Sequence, residues 1–357
     1  AELSNIVSET KNYTTEQGRI DYGRAKIELS DYVNSLNPKK ASLFTNIAGI
    51  PRTLMASLDL SAPLNQGFGM LSRKQFYTSL VNMFKYVRSE NNLKNLQADI
   101  ITRPTYKQAK KAGLRLTDLG EKLEMREEQF MSTILDKVPG IAASQRAYTG
   151  FLNKLRMDVF DDLIKKAELS GEDVNVGSRA VEDIANTINN FTGGARVGKI
   201  EGAVPALNAV FFSPRKIKST LEILNPRNYI DPKISKTARK AALRNLIGSL
   251  AISASIIELY SLLTGKPQET DPTSSDFGKI KVGNSRIDLT GGNGTYMILL
   301  SRLLKQKIKN QKGEVKSLGS KIGQTSGFDL ISQAIRYKLS PNASLLVDIL
   351  SDSNAIG

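Results

Sequence analysis

The sequence lacks the residues on which much enzyme chemistry depends. Its 357 residues include no Cys, no His and no Trp, and aromatic residues make up only 6% of it. Without Cys there is no disulfide, no thiolate metal site and no Cys nucleophile. Without His the chain lacks the commonest general base and metal ligand, which excludes Ser-His-Asp catalysis and His-ligated metalloproteases. We therefore expect no enzyme activity, no cofactor and no metal site in this chain.

Aliphatic residues must build the core, because aromatic residues are scarce. Hydrophobic residues reach 40% of the chain, enough for a sizeable core, and its Leu and Ala favour helices. Ser72-Arg73-Lys74-Gln75 has the pattern of a capping box, and the stripe after it predicts a buried helix face: Phe76, Leu80, Met83, Phe84 and Val87. A long helix over about 142–167 is predicted to bury Tyr148, Leu152, Leu155, Val159 and Leu163. Its other face is expected to be solvated: Lys154, Asp158, Asp161, Asp162 and Lys165.

Prolines and glycines divide the remaining chain into further elements. After an extended entry over residues 13–22, helices are predicted to about residue 36, over 41–60 with a break at Ile50-Pro51, and over 105–137, 179–191, 214–224, 294–309, 327–338 and 342–350. Gly171–Gly177 indicates a linker, and Thr192–Arg196 indicates a flexible loop. The periodicity changes to two at Ile280 and Val282, and Gly283-Asn284 is a typical hairpin turn. We expect one β-hairpin near 279–289 and no other sheet.

The predicted fold class is therefore mainly α, a multi-helix assembly with one small β-hairpin. We expect two regions, an N-terminal helical region over 1–170 and a basic helical region with the hairpin over 178–357. The sequence begins with Ala and ends without a distinctive terminus. We therefore expect a fragment or processed piece of a longer chain.

Residues 234–264 are the most apolar part of the sequence. Thirteen uncharged residues lie between Arg244 and Glu258, whereas a membrane span needs roughly 20. A buried core helix is therefore the favoured interpretation. The longer stretch from Asn245 to Gly265 has 21 residues and one acid, so conditional membrane contact through 245–265 stays open as an alternative.

The chain is strongly basic, with a formal net charge of +15. Residues 201–357 hold 22 Lys and Arg against 12 Asp and Glu, a net charge of +10. Basic tracts in this region can contact DNA phosphates without sequence preference, and the alternative is a solvated basic face. The candidate contacts are Arg215, Lys216, Lys218, Lys236, Arg239, Lys240, Lys305, Lys307 and Lys309, with Lys233, Arg244, Lys312 and Lys316 beside them.

Two weaker motifs are better explained by ordinary local structure than by a functional site. Gly291–Gly294 precedes a helix as phosphate-binding loops do, but it lacks the Lys-Ser/Thr of a P-loop and follows a hairpin, which favours a simple turn. The acidic patch of Glu121, Glu124, Glu127 and Glu128 could include one buried general acid of a peptidoglycan-cleaving enzyme. A solvated helix face is the favoured interpretation of that patch.

Several stretches resemble a known family in content and order. They are Arg103–Tyr106, Thr117–Gly120, Arg126–Met131, Arg146–Arg156, Asn208–Arg215, Asp271–Ile280 and Lys338–Pro341. Together they resemble the large polyvalent-protein-associated regions of tailed phages, over a span of about two thirds of the chain. The resemblance implies a protein carried inside the virion and passed into the host cell. The Lys-, Asn- and Ile-rich usage is typical of a low-GC phage, such as a crAss-like one.

The leading functional hypothesis is an internal virion protein, a cargo or ejection protein delivered with the genome and not catalytic in this segment. It would lie in the virion interior and then in the host cell, with other virion proteins of the portal, tail or cargo as partners. The first alternative is a structural protein that docks at the portal or tail. The second is a lytic glycosidase that uses a single Glu.

Overall fold

The computed structural model describes residues 13–36, 62–117, 139–198, 213–283, 285–310, 313–319 and 324–351, and the single positions 4, 6, 7, 10, 11, 207, 210 and 211. Helices dominate these residues, and two small antiparallel sheets accompany them. This confirms the predicted fold class. The helix predicted over 41–60 and the part of 105–137 from residue 118 onward lie outside the described residues.

The first half of the described chain is entirely helical. Its elements are α1 Glu16–Leu36, α2 Ala62–Asn65, a 3₁₀ turn Phe68–Met70, α3 Lys74–Arg88, α4 Glu90–Thr102, α5 Tyr106–Lys111, α6 Pro139–Leu169 and α7 Arg179–Phe191. Helix α6 is central, since α3, α4 and α7 all pack against it, while α1 packs on α4. The extended entry predicted over 13–22 was wrong from Glu16 onward, where α1 begins.

The core is built around α6, as its apolar periodicity predicts. Leu152, Leu155 and Val159 are fully buried. The other sides of α6 are also covered, so Phe151 and Phe160 have no exposed area either. Burying each large apolar side chain stabilises the fold by roughly 1.5–3 kcal/mol. The same cluster of buried side chains extends from the 3₁₀ turn through α7 and into the second half of the chain.

Small residues allow α3 and α6 to approach closely. A Cβ atom on Gly150 would lie 2.3 Å from Cδ2 of the Tyr86 ring, which is closer than real contacts allow. The buried stripe of α3 includes Phe76 and Met83. The expectation for Phe84 was wrong, because this side chain is 51% exposed.

The capping box predicted at residues 72–75 is absent. Helix α3 begins at Lys74 with Arg73 in the N-cap position, and no side chain caps it. Ser72 instead faces a later helix, with its Oγ 3.5 Å from the carbonyl oxygen of Arg244. A true capping box occurs at Ser326, whose side chain and that of Asp329 cap one helix N-terminus reciprocally.

Two local expectations about solvation were wrong. The segment Thr192–Arg196 is a tight turn rather than a flexible loop, because Thr192 and Ala195 have no exposed area and the amide of Ala195 donates to Ser219 Oγ at 3.0 Å.

The charged face of α6 is not simply solvated either. Asp158 and Asp161 both accept hydrogen bonds from Arg103 at 2.8 Å, so this face is an ion-pair network.

The second half of the described chain is less regular. Its elements are α8 Pro214–Leu224, α9 Arg227–Ile230, α10 Lys236–Thr264, β1 Lys279–Val282, β2 Ser285–Asp288, α11 Gly294–Lys305, β3 Lys307–Lys309, β4 Val315–Ser317, α12 Gly327–Arg336 and α13 Pro341–Ser351. Helix α10 crosses between the halves and packs on α7, α6 and the 3₁₀ turn.

The predicted hairpin is confirmed, and a second one was missed. Strands β1 and β2 pair antiparallel, with Lys279 opposite Asp288 and Val282 opposite Ser285. The helix predicted over 294–309 ends at Lys305, because Gln306 adopts a left-handed backbone with φ 52°. The residues after it form β3, which pairs with β4. The expectation of a single sheet was therefore wrong.

Candidate functional site

The first basic tract, on α8, is largely built into the fold. Arg215 is only 6% exposed. Lys216 donates from Nζ to the carbonyl oxygen of Asn65 at 2.6 Å, and its burial, together with nearby Lys338, lowers its pKa to about 8. Lys218 lies 3.7 Å from Glu222 on the same helix. Arg215 and Lys216 are therefore engaged in packing within the fold, and their role as DNA contacts stays a prediction.

The second tract lies at the start of α10 and is mostly accessible. Lys236, Lys240 and Arg244 are exposed, and their four-residue spacing places them along one helix face. Arg239 differs, because it is partly buried and its Nε donates to the carbonyl oxygen of Ile234 at 3.1 Å. Lys236, Lys240 and Arg244 thus form an exposed row of cations on α10. Arg239 does not belong to this row.

Acidic residues outside α10 stabilise its basic N-terminus. The positive end of a helix dipole disfavours nearby cations and favours anions. Glu172 accepts from the backbone amides of Lys236 at 2.8 Å and Thr237 at 3.1 Å, and Asp183 accepts from the amide of Ser235 at 2.8 Å. Burial raises the pKa of Glu172, but hydrogen bonds from the side chains of Thr237 and Ser235 and from the amides of Thr237 and Lys236 outweigh it and hold the pKa below its ordinary value. The lysines are therefore free to face solvent.

The third tract surrounds the second hairpin. Lys305, Lys307 and Lys316 are exposed. Lys309 is paired with Glu269, whose carboxylate oxygens lie 2.9 and 3.0 Å from its Nζ. Lys312 lies outside the described residues. This tract therefore offers fewer free charges to a phosphate backbone than its sequence suggests.

Helix α10 buries its polar side and exposes its apolar side. Small or polar residues that recur every four positions face the protein: Ala241, Asn245, Ser249 and Ser253. Large aliphatic residues face solvent, with exposed fractions between 43% and 77%: Leu243, Ile247, Ile256, Leu259, Leu262 and Leu263. The expectation of a buried core helix was therefore wrong for most of its length. Among the described residues it is the one helix long and apolar enough to cross a membrane.

Hydrogen bonds and close backbone packing attach this helix to the rest of the fold. Asn245 accepts from Arg73 Nε at 2.6 Å and donates to the Met70 sulfur at 3.4 Å. Burial and Arg244 lower the pKa of Arg73 to about 10, against the opposing effect of Asp162. A Cβ atom on Gly248 would lie 2.4 Å from Ser72 Cβ, so the α10 backbone passes very close to the loop before α3.

Beyond α10 the described chain encloses few apolar side chains. After Ala242, its buried hydrophobic residues are Ile280, Ile298 and Leu330. Many others are exposed, including Val282, Ile287, Leu300, Leu304, Val315, Phe328, Ile331, Ile335, Leu345 and Leu346. Soluble domains rarely leave so many large apolar groups uncovered together unless another molecule covers them. This region has the character of an interaction surface.

The motifs that the sequence suggested for metal or phosphate binding can be checked in the described residues. These residues contain no group of three Asp or Glu side chains placed to hold a metal ion. The Gly291–Gly294 loop is a turn in which Thr290 Oγ1 accepts from the Gly294 amide at 2.6 Å, so this helix start is occupied by the chain itself. The acidic patch at 121–128 lies outside the described residues, and its role stays a prediction.

Sequence reasoning missed the orientation of α10. Its signal was present in the spacing, since Ala241, Asn245, Ser249 and Ser253 recur every four residues, out of phase with Leu243 and Ile247. Helix α10 thus has two exposed surfaces, the row of cations at its N-terminal end and the apolar side chains along its remainder. Comparison with protein-family models, curated proteins and solved structures found no match to this chain.

Proposed function

We propose that this chain is a non-catalytic helical segment of an internal tailed-phage virion protein that is packed with the genome and delivered into the host cell. The observation that carries the proposal is the displayed apolar and basic surface of residues 236–351, which suits a protein that acts by binding. The ordered resemblance over residues 103–341 supports the phage setting.

The positions of the resembling stretches fit a shared scaffold. Arg146–Arg156 lies within α6 and contributes Phe151 and Leu152 to the core. Arg103 is the centre of the ion pairs between α4 and α6. Related chains with different activities would share the residues that pack the scaffold, and these stretches have such packing roles.

Two other functions compete with delivery. A structural protein docked at the portal or tail would use the same exposed surface, so location in the particle separates it from cargo. A lytic glycosidase would need a buried Glu in a cleft. Its candidates, Glu121, Glu124, Glu127 and Glu128, lie outside the described residues.

The location of the chain in the particle tests the proposal. We expect quantitative mass spectrometry to find the chain in full virions and to find it strongly depleted in particles emptied of DNA, because ejected cargo leaves with the genome. The capsid and portal proteins serve as internal controls, since both stay behind. Equal amounts in full and emptied particles would favour the structural alternative, and absence from full particles would refute both.

The basic region is expected to bind duplex DNA without sequence preference. Each phosphate contact contributes about 0.9 to the slope of log affinity against log salt. Replacing Lys305, Lys307 and Lys309 with Gln should lower this slope by about two rather than three, because Lys309 is paired with Glu269. The measurement is a salt titration of binding to two unrelated duplexes.

A matched variant controls for net charge. Lys74, Lys85 and Lys107 are exposed lysines in the N-terminal half, and their replacement by Gln removes the same number of charges. This variant should leave the slope nearly unchanged if the contacts are local. An equal fall in both variants, or binding that does not respond to salt, would contradict the DNA interface.

A further inference from the structure

The last three turns of α10 are largely exposed, and Tyr260 attaches them to β1 by donating from its OH to the carbonyl oxygen of Lys281 at 2.6 Å. Ser253 is the last buried residue of the helix, and it donates from Oγ to the carbonyl oxygen of Leu289 at 2.7 Å. We call residues 254–264 the overhang. Ile256, Leu259 and Leu263 continue the helix face that is buried upstream, yet they are between 43% and 77% exposed here.

The overhang is apolar on more than one side. Leu262, 73% exposed, is turned by about 100° from Leu263 and by about 120° from Ile256, since each residue advances a helix by about 100°. Ser255, Glu258 and Ser261 interrupt the apolar surface, but an apolar helix surface this wide is normally buried inside a large core or a membrane. The overhang is in neither within this chain, so water contacts side chains that a lipid environment would accept.

The whole of α10 has the polarity pattern of a helix in lipid. Membrane helices pack against protein through small residues and turn large aliphatic residues outward, and α10 does the same through Ala241, Ser249 and Ser253. The 11 residues of the overhang span about 16 Å at 1.5 Å per residue. That length is close to half of a hydrocarbon core of about 30 Å, which is one leaflet.

Charge favours an anionic lipid surface over a protein partner. Lys236, Lys240 and Arg244 form an exposed cationic row upstream, and Lys266 is exposed just after the overhang. Glu258 is the one acid between residues 236 and 266. Protein interfaces are anchored by Trp, Tyr and Arg, whereas the exposed large side chains of the overhang are Leu and Ile.

We propose that the overhang of α10 inserts into one leaflet of an anionic lipid bilayer, and that Lys236, Lys240 and Arg244 draw the chain to that surface. Basic residues combined with an exposed apolar helix face give membrane binding that depends on both buried area and anionic lipid. The inference goes beyond delivery with the genome and stands on the geometry of α10 alone.

The test is flotation of the full chain with vesicles of phosphatidylcholine, with and without phosphatidylserine. We expect binding to the anionic vesicles that weakens with salt. Replacing Leu259 and Leu263 with Ser should lower the partition coefficient by about tenfold or more. The matched control replaces Leu169 and Leu221, exposed at 79% and 55% elsewhere in the chain, and should float like the original.

Insertion can be distinguished from surface adsorption because the chain has no natural Cys. Leu262→Cys, labelled with an environment-sensitive dye, should report a blue shift with anionic vesicles, whereas a label on Ser170→Cys should not. Replacing Glu258 with Gln should strengthen binding. Absence of flotation would overturn the proposal, as would a Leu-to-Ser effect confined to self-association measured by light scattering. Neither result bears on the particle assay, so the two proposals fail independently.

Discussion

Replacing Arg103 with Met is expected to lower the free energy of unfolding by about 3–5 kcal/mol. Arg103 lies in the loop after α4 and is 15% exposed. It contacts Asp99 at 2.6 Å and both Asp158 and Asp161 on α6 at 2.8 Å. Removing the cation leaves three partly buried carboxylates close together, of which Asp99 keeps Arg19 and Asp158 keeps Lys154 as a partner, and this is more costly than losing a surface ion pair.

Urea unfolding followed by circular dichroism measures this effect. Arg103→Lys should be intermediate, because a single ammonium keeps the charge but cannot bridge three carboxylates as a planar guanidinium does. The control is Arg179→Met, since Arg179 is 67% exposed and lies 3.8 Å from its partner Asp183. We expect a change below about 1 kcal/mol there. Equal losses in the two variants would contradict the role of the network.

The same network predicts a pH dependence. Burial raises the pKa of Asp99, but Arg103 and Arg19 outweigh it and hold the pKa below its ordinary value. A carboxyl with a depressed folded-state pKa stabilises the fold above its unfolded pKa, near 3.9, and that stability is lost as the pH falls through the folded value. The deficit of Arg103→Met should therefore be greatest near neutral pH and shrink below about pH 4. A deficit that is constant with pH would mean that packing, not charge, explains the loss.

Hydrophobic periodicity and helix-terminating residues predicted those helices whose ends are marked in the local sequence. The bounds predicted for α7 and α8 agree with the structure because Ser178, Ser213 and Asn225 mark their ends. The position of β3 could not be predicted, because it depends on the left-handed turn at Gln306. The spacing within α10 carries a signal for which side faces the protein, but an apolar run does not encode whether another part of the chain covers its other side.

Buried polar anchors are the other feature that local pattern cannot reveal. Asn153 and Asn189 each occur within a helix, where an Asn ordinarily indicates a solvated position. In the structure both have no exposed area. Their partners are more than 35 residues away in sequence, so only the tertiary fold brings the groups together.

The two asparagines hold the segment 114–117, which is buried without belonging to a helix or a sheet. Asn189 accepts from the amide of Arg115 at 3.0 Å and donates to the carbonyl oxygen of Gly113 at 2.8 Å. Asn153 accepts from the amide of Thr117 at 2.8 Å and donates to its carbonyl oxygen at 2.6 Å. Each side chain thus satisfies one backbone donor and one backbone acceptor that water does not reach.

Replacing either asparagine with Leu is expected to cost about 2–6 kcal/mol, because two backbone groups lose their partners at about 1–3 kcal/mol each. Hydrogen exchange gives a sharper measurement than global stability. Asn189→Ala should expose the Arg115 amide to faster exchange than the Thr117 amide, and Asn153→Ala should do the reverse, since each loses its own acceptor. Asn82→Ala is the control, because the Asn82 side chain bonds only within its own helix, to the carbonyl oxygen of Thr78 at 2.8 Å. Uniform acceleration of both amides in both variants would indicate global destabilisation and would contradict the anchoring of this segment by individual asparagines.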